Sequence, residues 1–144
     1  MDLAEVSDRL EIQDVLARYC QTIDRGDWAS FRALFTDNAT LDFTAFGGPV
    51  GDVETLVSFI QAALASAKAS HHMVSTVVID LEGDTATVRS AAHVPITLAL
   101  QQEGEHTFFS GLWYNDEFVR SAAGWRIQTR KQERAWTFNM PPQL

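Results

Sequence analysis

Residues 12–35, IQDVLARYCQTIDRGDWASFRALF, decide how the rest of the chain is read. Ile12, Val15, Leu16, Tyr19, Cys20 and Ile23 recur at steps of three and four, the spacing that gathers side chains into one stripe of a helix. Arg25-Gly26 ends that helix. A second amphipathic helix follows, with Trp28, Phe31, Leu34 and Phe35 as its buried residues. Asp24 continues the Leu16–Cys20–Asp24 row of the first stripe, so its carboxylate points inward, where burial is costly without a partner. Asp27 provides the contrast. It follows Gly26 and precedes Trp28, where a side-chain oxygen can cap the second helix. One acid is architecture; the other asks for a functional explanation.

Working outward, the first helix spans 3–24, with Ser7 as its candidate cap and Asp8 and Glu11 favourable near its start. Leu3 and Val6 can add an earlier turn. The second helix spans 28–35. Asp37-Asn38 signals a turn, TLDFTAF (40–46) alternates as a strand, and Gly47-Gly48-Pro49 breaks it. Asp52 caps a third helix over 53–68, with Leu56, Val57, Ile60, Ala63 and Leu64 on its inner side. Four long strands follow, over 71–81, 85–100, 106–119 and 125–138, joined by short turns. Pro95 marks a bulge or an edge. Sequential strands with short turns pair antiparallel and twist. The predicted fold class is α+β: a cone-shaped, curved antiparallel sheet with three N-terminal helices over its concave face, residues 1–144 forming one domain.

Composition narrows the function. The chain has 144 residues, 46% of them hydrophobic, which is ordinary for a globular protein. A net charge of −8 with scattered basic residues argues against nucleic acid or an anionic membrane as partner. One cysteine excludes an internal disulfide, and no Cys/His cluster has zinc spacing, so neither metal nor cofactor is expected. The acidic, amphipathic start is unlike a signal peptide, and no apolar run is long enough to span a bilayer. A cytoplasmic location is the expectation.

The arrangement Tyr19-x4-Asp24-x2-Asp27-Trp28, then His71-His72, Gly83-Asp84, Gly111-x2-Tyr114-x-Asp116 and Gly124-Trp125-Arg126-Ile127-x2-Arg130 resembles the SnoaL-like branch of the nuclear transport factor 2-like superfamily. That resemblance speaks to fold more than to chemistry, because this superfamily hosts many activities on one cone. It is closest to the branch holding scytalone dehydratase, bile acid 7α-dehydratase and hexachlorocyclohexane dehydrochlorinase. These are cofactor-free lyases that expel a leaving group β to an abstracted proton. The resemblance implies that Asp24 is their helix aspartate and His72 their general-base histidine. It likens Tyr19 to a tyrosine five residues before the aspartate in the bile acid enzyme, His93 to a second histidine paired to the aspartate, and Arg130 to an arginine on the last strand. Phe43 stands where scytalone dehydratase has a tyrosine that polarises the substrate carbonyl, so Tyr19 would have to supply any acid.

The residues themselves leave some of this open. Alternation puts His72 on one strand face and His71 on the other, and both faces are fairly apolar; the resemblance selects His72. His93 shares a face with Thr87, Arg89 and Thr97, a pattern that suits a wet surface or a partly polar pocket. His106, beside a turn, reads as solvated. Arg130 either orients substrate or bridges to a carboxylate such as Asp24, Asp116 or Glu133. Phe43 and Trp113 are candidate pocket walls among the aromatic residues. A carboxylate that accepts the Nδ1 proton of a histidine fixes its tautomer and stabilises the imidazolium formed when Nε2 takes a proton. The catalytic candidates are therefore Asp24, His72, Tyr19 and His93, and the substrate-binding candidates Arg130, Phe43 and Trp113. The implied function is a dehydratase-type lyase on a small hydrophobic alicyclic or polycyclic substrate. The alternatives are a ketosteroid-type isomerase, a limonene-type epoxide hydrolase built on Asp24, Arg130 and Asp116, and a non-catalytic ligand-binding module like a dioxygenase small subunit. A homo-oligomer, dimer or trimer, is the expected assembly.

Overall fold

The computed structural model describes residues 1–142; Gln143 and Leu144, the end of the expected domain, lie outside the described residues. The first helix, α1 (Leu3–Arg25), starts earlier than Ser7 because Asp2 caps it, accepting the Glu5 N–H. Its stripe of Ile12, Val15, Leu16, Tyr19, Cys20 and Ile23 is buried as the periodicity requires. Gly26 closes it at φ 68°, a left-handed conformation that costs glycine little. Asp27 then caps α2 (Trp28–Arg32), accepting the Ser30 N–H at 3.1 Å.

The second helix is three residues shorter than expected, ending at Arg32 where 35 was predicted. Leu34 and Phe35 are buried, but as the entry to a strand, β1 (Phe35–Asp42). The cause is tertiary: the Leu34 carbonyl takes the Ile127 N–H, and β1 runs parallel to the last strand. The strand predicted over 40–46 thus begins earlier and stops sooner, and Thr44–Phe46 forms a single 3-10 turn. A short β2 (Val50–Gly51) pairs with β1. Asp52 caps α3 (Val53–Ala63) by accepting the Thr55 N–H at 2.8 Å. This helix does not continue to 68. Leu64 is its last inward apolar residue, so nothing beyond it rewards another turn, and Ala67–Ser70 instead add a strand, β3, to the sheet.

The remaining strands are β4 (Met73–Glu82), β5 (Thr85–Ala99), β6 (Glu105–Ser121) and β7 (Gly124–Phe138). Among the described residues seven strands form one sheet in the order β2-β1-β7-β6-β5-β3, with β4 also on β5. β3 and β4 share one edge of β5, separated by a break at His71-His72. Pro95 sits opposite that break. Its carbonyl accepts the His71 N–H, and its missing N–H falls where the ladder has no partner to lose. It is therefore neither a bulge nor an edge. α1 crosses the inner face of the curved sheet against β4 and β7, burying Ile12, Leu16, Phe31, Phe35, Val88, Phe118 and Ile127.

The β5–β6 register runs unbroken from Thr85↔Val119 to Ala99↔Glu105. Strict alternation follows. Ser90, Ala92 and Val94 on β5 and Leu112, Tyr114, Asp116 and Phe118 on β6 are buried beneath the helices. Their odd-numbered neighbours, His93 and Trp113 among them, face outward.

Candidate functional site

The hollow of the curved sheet holds a cavity of about 300 Å³. Phe43, Phe46, Ile60, Val94 and Leu112 are among the apolar side chains that wall it. Its polar lining comes from His72, Tyr19, Tyr114, Ser110 and Gln132.

His72 reaches the cavity because the strand breaks. Released from the sheet ladder, its backbone N–H donates to Asp24 Oδ2 at 2.9 Å, and its ring Nδ1 lies 2.7 Å from Asp24 Oδ1. Ser70 Oγ donates to the same Oδ1 at 2.9 Å. Asp24 arrives from the last turn of α1, on the row that the helical period points inward. Burial pushes the Asp24 carboxyl up, but the His72 imidazole and N–H with the Ser70 hydroxyl outweigh it and hold the acid below its ordinary value. An ionised Asp24 requires a proton on Nδ1. The free lone pair then lies on Nε2, the nitrogen left to the cavity. An imidazole so arranged is a base with a built-in counter-charge.

A second pair lies deeper. Arg130 on β7 donates to Asp116 on β6 through Nε at 2.7 Å and Nη2 at 2.8 Å, and both side chains are 0% exposed. The guanidinium is sandwiched, 4.2 Å from the Tyr19 ring centroid and 3.8 Å from that of Tyr114. Burial holds the Asp116 carboxyl above its ordinary value, against the opposing pull of Arg130. Burial likewise raises the Tyr19 phenol to about 12 against the pull of Arg130, so Tyr19 is protonated at neutral pH.

The candidates therefore divide. Asp24, His72, Tyr19 and Phe43 meet at one cavity, His72, Tyr19 and Phe43 on its wall and Asp24 behind the imidazole. Arg130 does not pair with Asp24 and does not wall the cavity; it lies under the two tyrosines, tied to Asp116. An Asp–Arg–Asp constellation of Asp24, Arg130 and Asp116 is accordingly not assembled. His93 does not join the site. It is exposed on the outer face, against the Trp136 indole with centroids 5.5 Å apart, because the unbroken β5 register turns it away from Ala92 and Val94. Trp113 is outward for the same reason, with the Arg89 guanidinium 4.4 Å over its ring, so it walls nothing. His71 is exposed, and His106 Nε2 contacts the Asn139 carbonyl at 2.7 Å. Ser70 escaped the sequence reading because the third helix was expected to end only at 68. Its place two residues before His72, the same-face spacing of a strand, was the available signal. Among the described residues no group of three acid, histidine or cysteine side chains is placed to hold a metal ion, and no helix is long and apolar enough to cross a membrane.

Comparison with known proteins adds the family. A sequence model described as the SnoaL-like domain matches residues 4–131. An uncharacterized protein of Mycobacterium tuberculosis is 33% identical over 136 residues, which cover 94% of this chain and 91% of the relative. The Kfla4162 protein of Kribbella flavida superposes with a TM-score of 0.83 at 24% identity, over 94% of this chain and 95% of that one. A hexachlorocyclohexane dehydrochlorinase superposes with a TM-score of 0.83 at 15% identity, over 98% and 94% of the two chains. At those identities the two structures speak for the fold alone.

Proposed function

The chain belongs to the SnoaL-like domain family, within the nuclear transport factor 2-like superfamily, and from that premise we propose that it is a cofactor-independent lyase of the dehydratase type. Its substrate is a small hydrophobic alicyclic or polycyclic molecule held in the apolar cavity. The observation that carries this reading is the 2.7 Å contact of His72 Nδ1 with Asp24 in a histidine whose ring also walls that cavity. His72 Nε2 takes a proton from a substrate carbon, and Asp24 stabilises the imidazolium that results. The electrons left on carbon form a double bond as the β-hydroxyl departs. Tyr19, protonated, donates a hydrogen bond to the departing oxygen, and the proton held on His72 completes the water. A ketosteroid-type isomerase shares the first step and differs only in where the proton goes next.

The test is a panel of cyclic β-hydroxy ketones followed by the ultraviolet absorbance of the enone product. Turnover that disappears in His72→Ala and falls steeply in Asp24→Asn supports the reading. Rates unchanged in both variants end it.

Self-association belongs to the same proposal. Met73, Phe109, Trp136 and Phe138 are exposed together on the outer face of the sheet, Phe138 at 64% and Trp136 at 43%. They form a cross-strand patch: Met73 opposes His93, His93 opposes Gly111, and the Trp136 indole lies over Gly111 where any Cβ would collide with it. An apolar patch of this kind marks a contact surface. Trp136→Glu is expected to shift the sedimentation coefficient to that of a monomer; a wild type that is already monomeric refutes it.

A further inference from the structure

The Asp24–His72 pair stands in a partition between two hollows. On one side is the apolar cavity, walled in part by the His72 ring. On the other is a cleft of about 290 Å³, lined by Asp24 and Ser70 and reaching solvent past the exposed Gln61, Lys68 and Ala69. Ile23 and Leu64 line both hollows, so the two lie back to back. His72 lines the cavity but not the cleft; Asp24 and Ser70 line the cleft but not the cavity. Asp24 is also poorly placed for an anion. It lies in the last turn of α1, where the unpaired carbonyls of a helix end disfavour negative charge. Water in the cleft therefore competes with the imidazole for the carboxylate.

Three donors oppose that competition, and all come from one tripeptide. Ser70 Oγ and His72 Nδ1 meet Asp24 Oδ1 at 2.9 and 2.7 Å, and the His72 N–H meets Oδ2 at 2.9 Å. The segment is fixed to β5: Ser70 ends β3 opposite Ile96, and the His71 N–H donates to the Pro95 carbonyl at 3.1 Å. Side chains two residues apart on an extended chain share a side. Ser70 and His72 thus both reach Asp24, while His71 between them is turned out to solvent. Of the two residues that donate, Ser70 is the one on the cleft side.

We propose that Ser70 is a positioning residue for His72: its hydroxyl holds Asp24 Oδ1 against Nδ1, in competition with water from the cleft, and so fixes the tautomer that leaves Nε2 free toward the cavity. The partner of a histidine's second nitrogen decides where the ring carries its proton, and what orients that partner matters nearly as much. Without the hydroxyl, Oδ1 is free to turn into the cleft and Nδ1 loses the acceptor that selects its proton. Ser70 does not line the substrate cavity. Its effect on turnover, which rests on the lyase reading above, therefore falls on kcat and leaves KM unchanged. Its effect on the tautomer needs no substrate.

The experiment reads the ring nitrogens of His72 by nitrogen NMR at about pH 8, where an imidazole is neutral. The His72 signals are those absent from His72→Ala. In the wild-type protein the Nδ1–H form is expected to predominate. Ser70→Ala is expected to lower the ratio of Nδ1–H to Nε2–H by about tenfold, the worth of one hydrogen bond to a charged group, with urea unfolding confirming a folded protein. Ser70→Thr keeps a hydroxyl on a residue at home in a strand and is expected to restore the ratio. Ser70→Cys keeps the shape with a weaker donor and is expected to fall between. On any substrate the wild type converts, kcat of Ser70→Ala should fall by about the same factor, with KM unchanged. An unchanged ratio in Ser70→Ala, an equal loss in Ser70→Thr, or a raised KM at constant kcat would each overturn the assignment. A protein that converts no substrate yet shows the tautomer shift ends the lyase reading and supports this one.

Discussion

Asp24 with His72 and Asp116 with Arg130 are two ion-pair geometries in one fold, and almost everything about their surroundings differs. The Asp116–Arg130 pair is fully buried, bidentate and roofed by two aromatic rings. The Asp24–His72 pair is 17% and 11% exposed, hangs in a gap in the sheet, and sets the acid against an imidazole. A guanidinium beside a carboxylate is a fixed charge distribution. An imidazole beside a carboxylate is a proton acceptor. The first suits a floor; the second suits a working wall.

Removing the imidazole should separate chemistry from stability. If the chain is the proposed lyase, His72→Ala is expected to cut the rate of that elimination by about 10²–10⁴-fold, the usual worth of a positioned base. It leaves a hole at a partly exposed cavity wall, so unfolding in urea should change by no more than about 1 kcal/mol. A variant that loses activity only in proportion to lost folded protein would erase the distinction between the two pairs.

The opposite outcome is expected for the deeper pair. Asp116→Ala strands the Arg130 cation in the core and should lower stability by about 3–5 kcal/mol. The double variant Asp116→Leu with Arg130→Met removes the charge as well as its partner and should recover much of that loss. If single and double variants unfold at the same urea concentration, the pair is not the buried electrostatic unit its geometry describes.

The difference between the pairs was only half legible in the sequence. The helical row through Leu16, Cys20 and Asp24 shows an inward acid, and the Gly26-Asp27 boundary shows which acid is a cap, because both follow from local period and local chemistry. Asp116 was one of the partners open to Arg130, but the choice among Asp24, Asp116 and Glu133 is made by cross-strand register, which no local pattern fixes. Register also decides His93 and Trp113. The pattern around His93, with Thr87 and Arg89 on its face, already fitted a wet surface, and the family resemblance drew it inward. The boundaries that shifted, at 35 and at 63, are those where pairing with a distant strand overrides helix-compatible residues. The gap at His71-His72, which frees the N–H for Asp24, leaves no mark in a run of β-branched residues.

A third pair extends the comparison to the protein surface. Asp8, near the start of α1, holds Arg120 of β6 through contacts of 2.7 and 2.8 Å and accepts the Trp125 indole N–H at 2.9 Å, tying the helix to the β6–β7 end of the sheet. The Arg120 and Trp125 hydrogen bonds hold its carboxyl down at about 2, below its ordinary value of 3.8. A folded-state value below the unfolded one means that the contribution is complete above about pH 4 and drains away as pH falls toward 2. Asp8→Asn should therefore melt below the wild type by a few degrees at pH 6, with the gap closing by pH 2. High salt should narrow it at pH 6 as well, because the Arg120 end of this pair is 40% exposed, more than either partner of the other two. A gap that is independent of pH would assign the loss to the indole hydrogen bond and the packing around it. The series from fixed floor through titratable wall to screened surface tie would then lose its outermost member.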